Sequence, residues 1–187
     1  MQYPNKIRKE FIEQKVSHAN RGMKLESLLN LTNSYYREIN KAIIYKKPTP
    51  IKIVSTLMSN KGIKINEAYF EAPSTLDYNG LYKGKYIDFD AKETRETTRF
   101  PLQNIHEHQL LHMKKILEHG GITFLIISMN NLIYYLDGND IITFIENNQT
   151  RKSIPYSFIE ENGYVINLKI NPRIDYLEII DKLYFKE

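Results

Sequence analysis

The chain contains no cysteine among its 187 residues. That excludes disulfides and thiolate metal sites, and it fits a reducing, cytoplasmic setting. No apolar run approaches the roughly 18 residues needed to cross a bilayer, so no membrane partner is expected. The opening residues Met1-Gln2-Tyr3-Pro4-Asn5-Lys6 have no apolar core of the kind a secretory signal requires. Internal repeats and low-complexity segments are missing too. What remains is an ordinary folding composition, 42% hydrophobic and 26% charged, of a length that suits one domain over residues 1–187.

The charge is mildly basic, 26 Lys and Arg against 22 Asp and Glu, with a pI near 9.0. Its distribution is more telling than its sum. Lys6, Arg8, Lys9, Lys15, Arg21 and Lys24 crowd the start, and Lys46, Lys47, Lys61, Lys64, Lys83 and Lys85 follow. A basic first half fits a polyanionic partner; a solvated basic surface is the plainer alternative.

Residues 1–20 show no clear periodicity and read as a mobile basic arm. Leu25, Leu28, Leu29, Tyr36 and Ile39 fall near helical spacing and predict a helix from Met23 to about Ile39. Ala42–Tyr45 reads as a strand, punctuated by Lys46-Lys47-Pro48-Thr49-Pro50. Residues 51–73 read as a two-stranded excursion with a turn at Ser59-Asn60-Lys61-Gly62. Thr75 through Gly80 looks turn-prone, and Lys85–Lys92 is a strand. A helix opening at Pro101 or Asn104 runs to His119, with Ile105, His112, Met113, Ile116 and Leu117 inward and Gly120-Gly121 as its end. Ile122–Ser128 is a buried strand and Leu132–Leu136 another; Ile141–Glu146 is open between helix and strand. A closing helix over Ile174–Tyr184 is entered through Pro172. The sum is mixed α/β around a central sheet.

One pattern proposes a chemistry. Asp77 sits in the turn-prone stretch, and thirteen residues later Asp90 and Lys92 lie on a strand, separated by one residue. Alternation places Asp88, Asp90 and Lys92 on one face, with Ile87, Phe89 and Ala91 on the other. Two carboxylates meet the preference of Mg2+ for a few hard oxygens plus water and phosphate. A lysine on the same face can orient the attacking water or offset charge on a phosphoryl group. The pattern is that of a metal-dependent phosphodiester nuclease; the alternative is a surface strand with cross-strand ion pairs. His108 and His112 are four apart on a helix, but the glutamate of a zinc-protease motif is missing, and a solvated face or DNA contact is the better reading.

The chain resembles the RecU family of Holliday-junction resolvases, within the restriction-endonuclease-like PD-(D/E)xK superfamily. The matching stretches are Asn20-Arg21-Gly22-Met23 with Leu25-Glu26, Leu29-Asn30 through Tyr36, Lys46 through Pro50, Glu67-Ala68-Tyr69-Phe70, Thr75 through Gly80, Tyr86 through Thr94, Phe100-Pro101-Leu102, His106-Glu107-His108-Gln109 and Pro172 through Tyr176. The resemblance implies a restriction-endonuclease-like central mixed sheet flanked by helices, with the excursion at 51–73 as a protruding stalk. It implies metal ligands at Thr75, Asp77, Asp90 and Gln109, with Mg2+ as cofactor and Mn2+ as its alternative, and Lys92 as transition-state stabiliser. Catalysis is thus placed on Asp77, Asp90 and Lys92, with Asp88 in a supporting or structural place.

The implied substrate is a four-way DNA junction, cut symmetrically by a homodimer during recombination and repair, with the strand-exchange recombinase as a further partner. Arg21, Lys46, Lys47, Lys61 and Lys64 become phosphate-contact candidates, and Tyr69 and Phe70 candidates for base stacking, ordinary core packing being the alternative for the two rings. Two other functions compete: a nuclease acting on linear duplex, and a catalytically weak junction-binding protein that modulates the recombinase. The family usually carries Glu where this chain has Asp90, which sets the carboxylate back by one methylene, roughly 1.5 Å.

Overall fold

The computed structural model describes residues 24–71 and 75–185. The expected arm over 1–20 lies outside the described residues, as do residues 72–74 at the end of the expected stalk. Among the described residues, five α-helices and a six-stranded sheet carry most of the architecture. The sheet has the order β1 (Ile43–Lys46), β4 (Tyr78–Tyr82), β5 (Lys85–Glu93), β7 (Ile122–Met129), β8 (Leu132–Asp137), β10 (Tyr164–Val165). Only the β5–β7 pair is parallel, so the sheet is mixed. A parallel pair needs a crossover. Here it holds a short β6 (Arg99–Pro101) and the helix α2 (Glu107–Glu118).

Each face of the sheet has its own core. On one face α1 (Leu25–Glu38) and α5 (Tyr176–Tyr184) cover Ile44, Tyr78, Ile87, Phe89, Phe124 and Tyr135. Their centre is an aromatic ladder: Tyr78 stacks on Phe89 at 4.8 Å, Phe89 on Phe124 at 4.6 Å and Phe124 on Tyr135 at 4.4 Å. On the other face α2, α3 (Gly138–Asn147) and α4 (Tyr156–Asn162) cover Leu125, Ile127 and Leu136. That second face is apolar under β7 and β8 but charged under β5, where Asp88, Asp90 and Lys92 project. β9 (Ser153–Pro155) pairs with β6 beside it.

Several expectations hold with small shifts. α1, β1, β5, β7 and β8 lie where periodicity placed them. Asn130 and Asn131 take positive φ of 52° and 60°, the geometry of a two-residue hairpin turn between β7 and β8. The segment 141–146, open between two states, is helical, and Asp137 accepts the Asn139 N–H at 3.0 Å to cap it.

Two expectations need correcting: the helix expected from Pro101 or Asn104 begins at Glu107, and the stretch after Asp77 is not a turn but the strand β4. Asn79-Gly80 reads as a turn from sequence, yet Gly80 serves close approach. A Cβ there would sit 2.0 Å from the Ile43 carbonyl oxygen, so β1 can pair with β4 only across a glycine. β6, β9, α4 and β10 escaped the sequence reading, being short and weakly patterned.

The excursion forms its own two-stranded sheet, β2 (Ile51–Ser59) with β3 (Gly62–Phe70), joined through Asn60-Lys61. Among the described residues its strands pair only with each other, and every strand residue but Ser55 is exposed.

Candidate active site

Strand register brings the acidic residues together. Tyr78 pairs with Phe89 in the β4–β5 ladder, so the next step places Asp77 opposite Asp90, on the face away from the aromatic ladder. β1 adds a third member: Lys46 pairs with Tyr78, and the Lys47 N–H donates to the Asp77 carbonyl at 2.7 Å. One row therefore runs Lys47–Asp77–Asp90 across three strands. Leu125 of β7 continues it into the apolar core.

Asp90 has no exposure. Its Oδ1 accepts the Ala91 N–H at 2.7 Å, and its Oδ2 meets Lys92 Nζ at 2.7 Å and accepts from Gln109 Nε2 at 2.8 Å. A fully desolvated carboxylate needs such partners, and Lys92 supplies the countercharge. α2 crosses above β5 and delivers Gln109 from its first turn. The Gln109 Oε1 accepts from the His106 N–H at 3.1 Å, tying the helix start, and from Lys92 Nζ at 3.4 Å. The amide nitrogen of Gln109 thus faces Asp90 while its oxygen is engaged elsewhere. A ligand role for that oxygen requires the amide to turn over.

Asp77 is half-buried beside this pair. Its carboxyl is held above the ordinary value of 3.8, first by burial, then by the charge and hydrogen bond of Asp90; Lys92 and Lys46 pull the other way. Two carboxylates in one row repel, and the fold retains both. For such a group the folded state binds the proton more tightly than the unfolded one. Its contribution to stability is therefore complete below the ordinary carboxylate range and lost as pH rises through the raised value. In metal-free buffer Asp77→Asn is expected to raise the urea midpoint at about pH 7, with the gain vanishing near pH 3. A variant less stable than wild type at neutral pH would contradict the repulsion.

Thr75 is half-buried, its hydroxyl donating to the Leu76 carbonyl at 3.4 Å, and the bonds among Asp77, Asp90, Lys92 and Gln109 do not include it. The DNA-contact candidates separate. Arg21 lies outside the described residues. Lys46 pairs with Glu26 at 2.6 Å on the surface, and Lys47 with the buried Asp88 at 2.8 Å. Lys61 and Lys64 lie on the exposed hairpin and form no ion pair among the described residues. Tyr69 and Phe70 are 60% and 81% exposed, so core packing is excluded for both.

Sequence reasoning missed the company that Asp88 keeps: Lys47, Tyr86 and His112 converge on it. The signal was present in the spacing of Gln109 and His112, three apart on α2, which puts both on one helix face above β5. Missed too is Glu93, whose Oε1 accepts the Leu25 N–H at 2.6 Å and so caps α1 from the far end of β5.

The model of the family RecU, "Recombination protein U", matches residues 20–182. A protein of Geobacillus sp. (strain WCH70) named Holliday junction resolvase RecU is 51% identical over 174 residues, covering 90% of this chain and 87% of its own. The Oceanobacillus iheyensis protein of the same name is 45% identical over 196 residues, covering 99% of this chain and all of its own. Among solved structures, the Holliday junction resolvase Hjc of Archaeoglobus fulgidus matches 71% of this chain and 93% of its own, with 8% identity and a TM-score of 0.39. The mixed sheet with helices on both faces agrees with the restriction-endonuclease-like fold that the resemblance implied. With a family model along almost its whole length and relatives near half identity, this chain belongs to the RecU family.

Proposed function

We propose that the chain is an endodeoxyribonuclease that resolves four-way Holliday junctions by paired symmetric cuts, using a divalent metal, in recombination and repair. The observation that carries this reading is the row itself. Asp77 and Asp90 lie side by side across the β4–β5 ladder, and Lys92 stands 2.7 Å from Asp90. Relatives bearing the resolvase name support the substrate.

The donor set fits a hard cation. Two adjacent carboxylates match Mg2+, which takes one or two carboxylates and keeps water and phosphate oxygens for the rest. Mn2+ accepts the same oxygens. Asp77 and Asp90 would hold the ion, with Thr75 and Gln109 as further oxygen donors. When bound, such an ion polarises the phosphate and lowers the pKa of its water. The remaining work falls to the chain. Asp90 and Gln109 hold the Lys92 ammonium at a fixed point on the β5 face. From there Lys92 offsets the charge that builds on the phosphoryl oxygens, and being fixed beforehand it needs no reorganisation during reaction.

The hairpin gives the site its preference for branched DNA. It is exposed along its length, and its apolar side chains include Met58, 87% exposed, and Phe70. Exposed apolar surface of this kind suits a partner. As a stalk it would enter the junction centre, with Lys61 and Lys64 on phosphates and Tyr69 and Phe70 on unstacked bases. Stacking contributes about 1–3 kcal/mol per base. Tyr69→Ala with Phe70→Ala is therefore expected to weaken junction binding by that order while leaving linear-duplex binding nearly unchanged. Equal losses on both DNAs in a gel-shift titration would remove the stalk reading.

One chain carries one row of acids, whereas resolution needs two cuts related by the two-fold symmetry of the junction. A homodimer supplies both in fixed register. A single DNA-processing domain acting in the cytoplasm, with contacts to the strand-exchange recombinase, completes the proposal. Its test is cleavage of a four-way junction against linear duplex of the same sequence; equal rates would mark a duplex nuclease instead.

A further inference from the structure

Asp88 lies two residues before Asp90, on the same face of β5, and is fully buried. Four contacts converge on it. Lys47 Nζ donates to both oxygens, at 3.0 and 2.8 Å; the Tyr86 hydroxyl donates to Oδ2 at 2.9 Å; His112 Nε2 lies 2.9 Å from Oδ2. The strand does not need these contacts for its own position, since β4 and β7 pair with it on both sides. Their common effect is on Lys47. That side chain crosses β4 diagonally, from the row of Asp77 to the row of Asp88, and retains 21% exposure. An ammonium has three N–H groups, and Asp88 takes two.

We propose that Asp88 is a positioning residue for cleavage. Backed by His112 and Tyr86, it fixes the Lys47 ammonium at the same-face position of β5 next to Asp90, from where the remaining N–H meets an oxygen of the phosphate under attack. Lys92 and Lys47 then flank Asp90 along β5, one from each side. A lysine left to itself loses rotamer freedom when it engages a phosphate, whereas one clamped by a buried carboxylate has lost it on folding. The clamp therefore acts in the transition state more than in junction binding. This inference deepens the nuclease reading and rests on it.

The test uses full-length protein, a labelled four-way junction and single-turnover conditions with Mg2+. Asp88→Asn and Lys47→Met are each expected to slow cleavage about 10- to 100-fold, the range for removing an outer support of a reacting centre. The rate should fall far more than junction affinity does, and the double variant should be no slower than the worse single one. Lys47→Arg, which keeps a cation on Asp88, should recover most of the rate. Cleavage at the wild-type rate by folded Asp88→Asn, or losses that multiply in the double variant, would overturn the proposal. Should Asp88→Asn fail to fold, Lys47→Met decides alone: loss of affinity without loss of rate counts against the clamp. Failure of the underlying reading looks different, because then wild type leaves the junction uncut.

Discussion

Asp77→Asn is expected to slow junction cleavage by on the order of a thousandfold, equivalent to about 4 kcal/mol of transition-state stabilisation. Junction binding should persist. The substitution removes one of two facing carboxylates and leaves the amide nearly isosteric, so the β4–β5 ladder and the hairpin keep their places. It also removes a charge that burial, and then the neighbouring Asp90, disfavour. The same variant should therefore be more stable and almost inactive, a pairing expected where a site keeps charges for chemistry at the cost of stability. Added Mg2+ should raise the melting temperature of wild type and leave the variant's nearly unchanged, because ligand binding to the folded state is what stabilises. A variant that cuts at the wild-type rate would separate Asp77 from the reaction.

Phe89→Ala should cost about 3–5 kcal/mol of folding stability, read as a lowered urea midpoint at constant slope. Phe89 is the middle of the aromatic ladder, stacked between Tyr78 and Phe124 and 5.0 Å from Tyr176. It also sits between Asp88 and Asp90 in sequence, facing the opposite side of β5. A cavity beneath that residue loosens the strand that carries both acids and Lys92. Cleavage should fall more than the folded fraction does, since displacement of about 1 Å at a reacting centre can cost a hundredfold. A loss under about 1 kcal/mol would mean that the ladder repacks, which its full burial argues against.

Much of this was readable from local signals. The spacing of Asp90 and Lys92 needs only alternation along one strand, and the long apolar run of β7 needs only length. Asp77 was legible as an acid and not as a strand neighbour. Its place opposite Asp90 depends on β4–β5 register, and Asn79-Gly80 imitates a turn because the glycine serves a contact with β1, distant in sequence. The hairpin was visible through its turn residues, but the exposure of Tyr69 and Phe70 was not. An aromatic on a strand looks the same whether or not another element covers it. The clamp on Asp88 was the least accessible, because it joins Lys47, Tyr86 and His112 from a strand end, a strand and a helix. No periodicity links those three positions; only the folded sheet does.

The most direct measurement is a single-turnover time course on a labelled four-way junction and on linear duplex of the same sequence, each with Mg2+ and with a chelator. Paired, symmetry-related cuts are expected in the junction alone, abolished by chelation and by Asp77→Asn. Cleavage that continues in chelator, or equal cutting of the linear duplex, would contradict the resolvase reading.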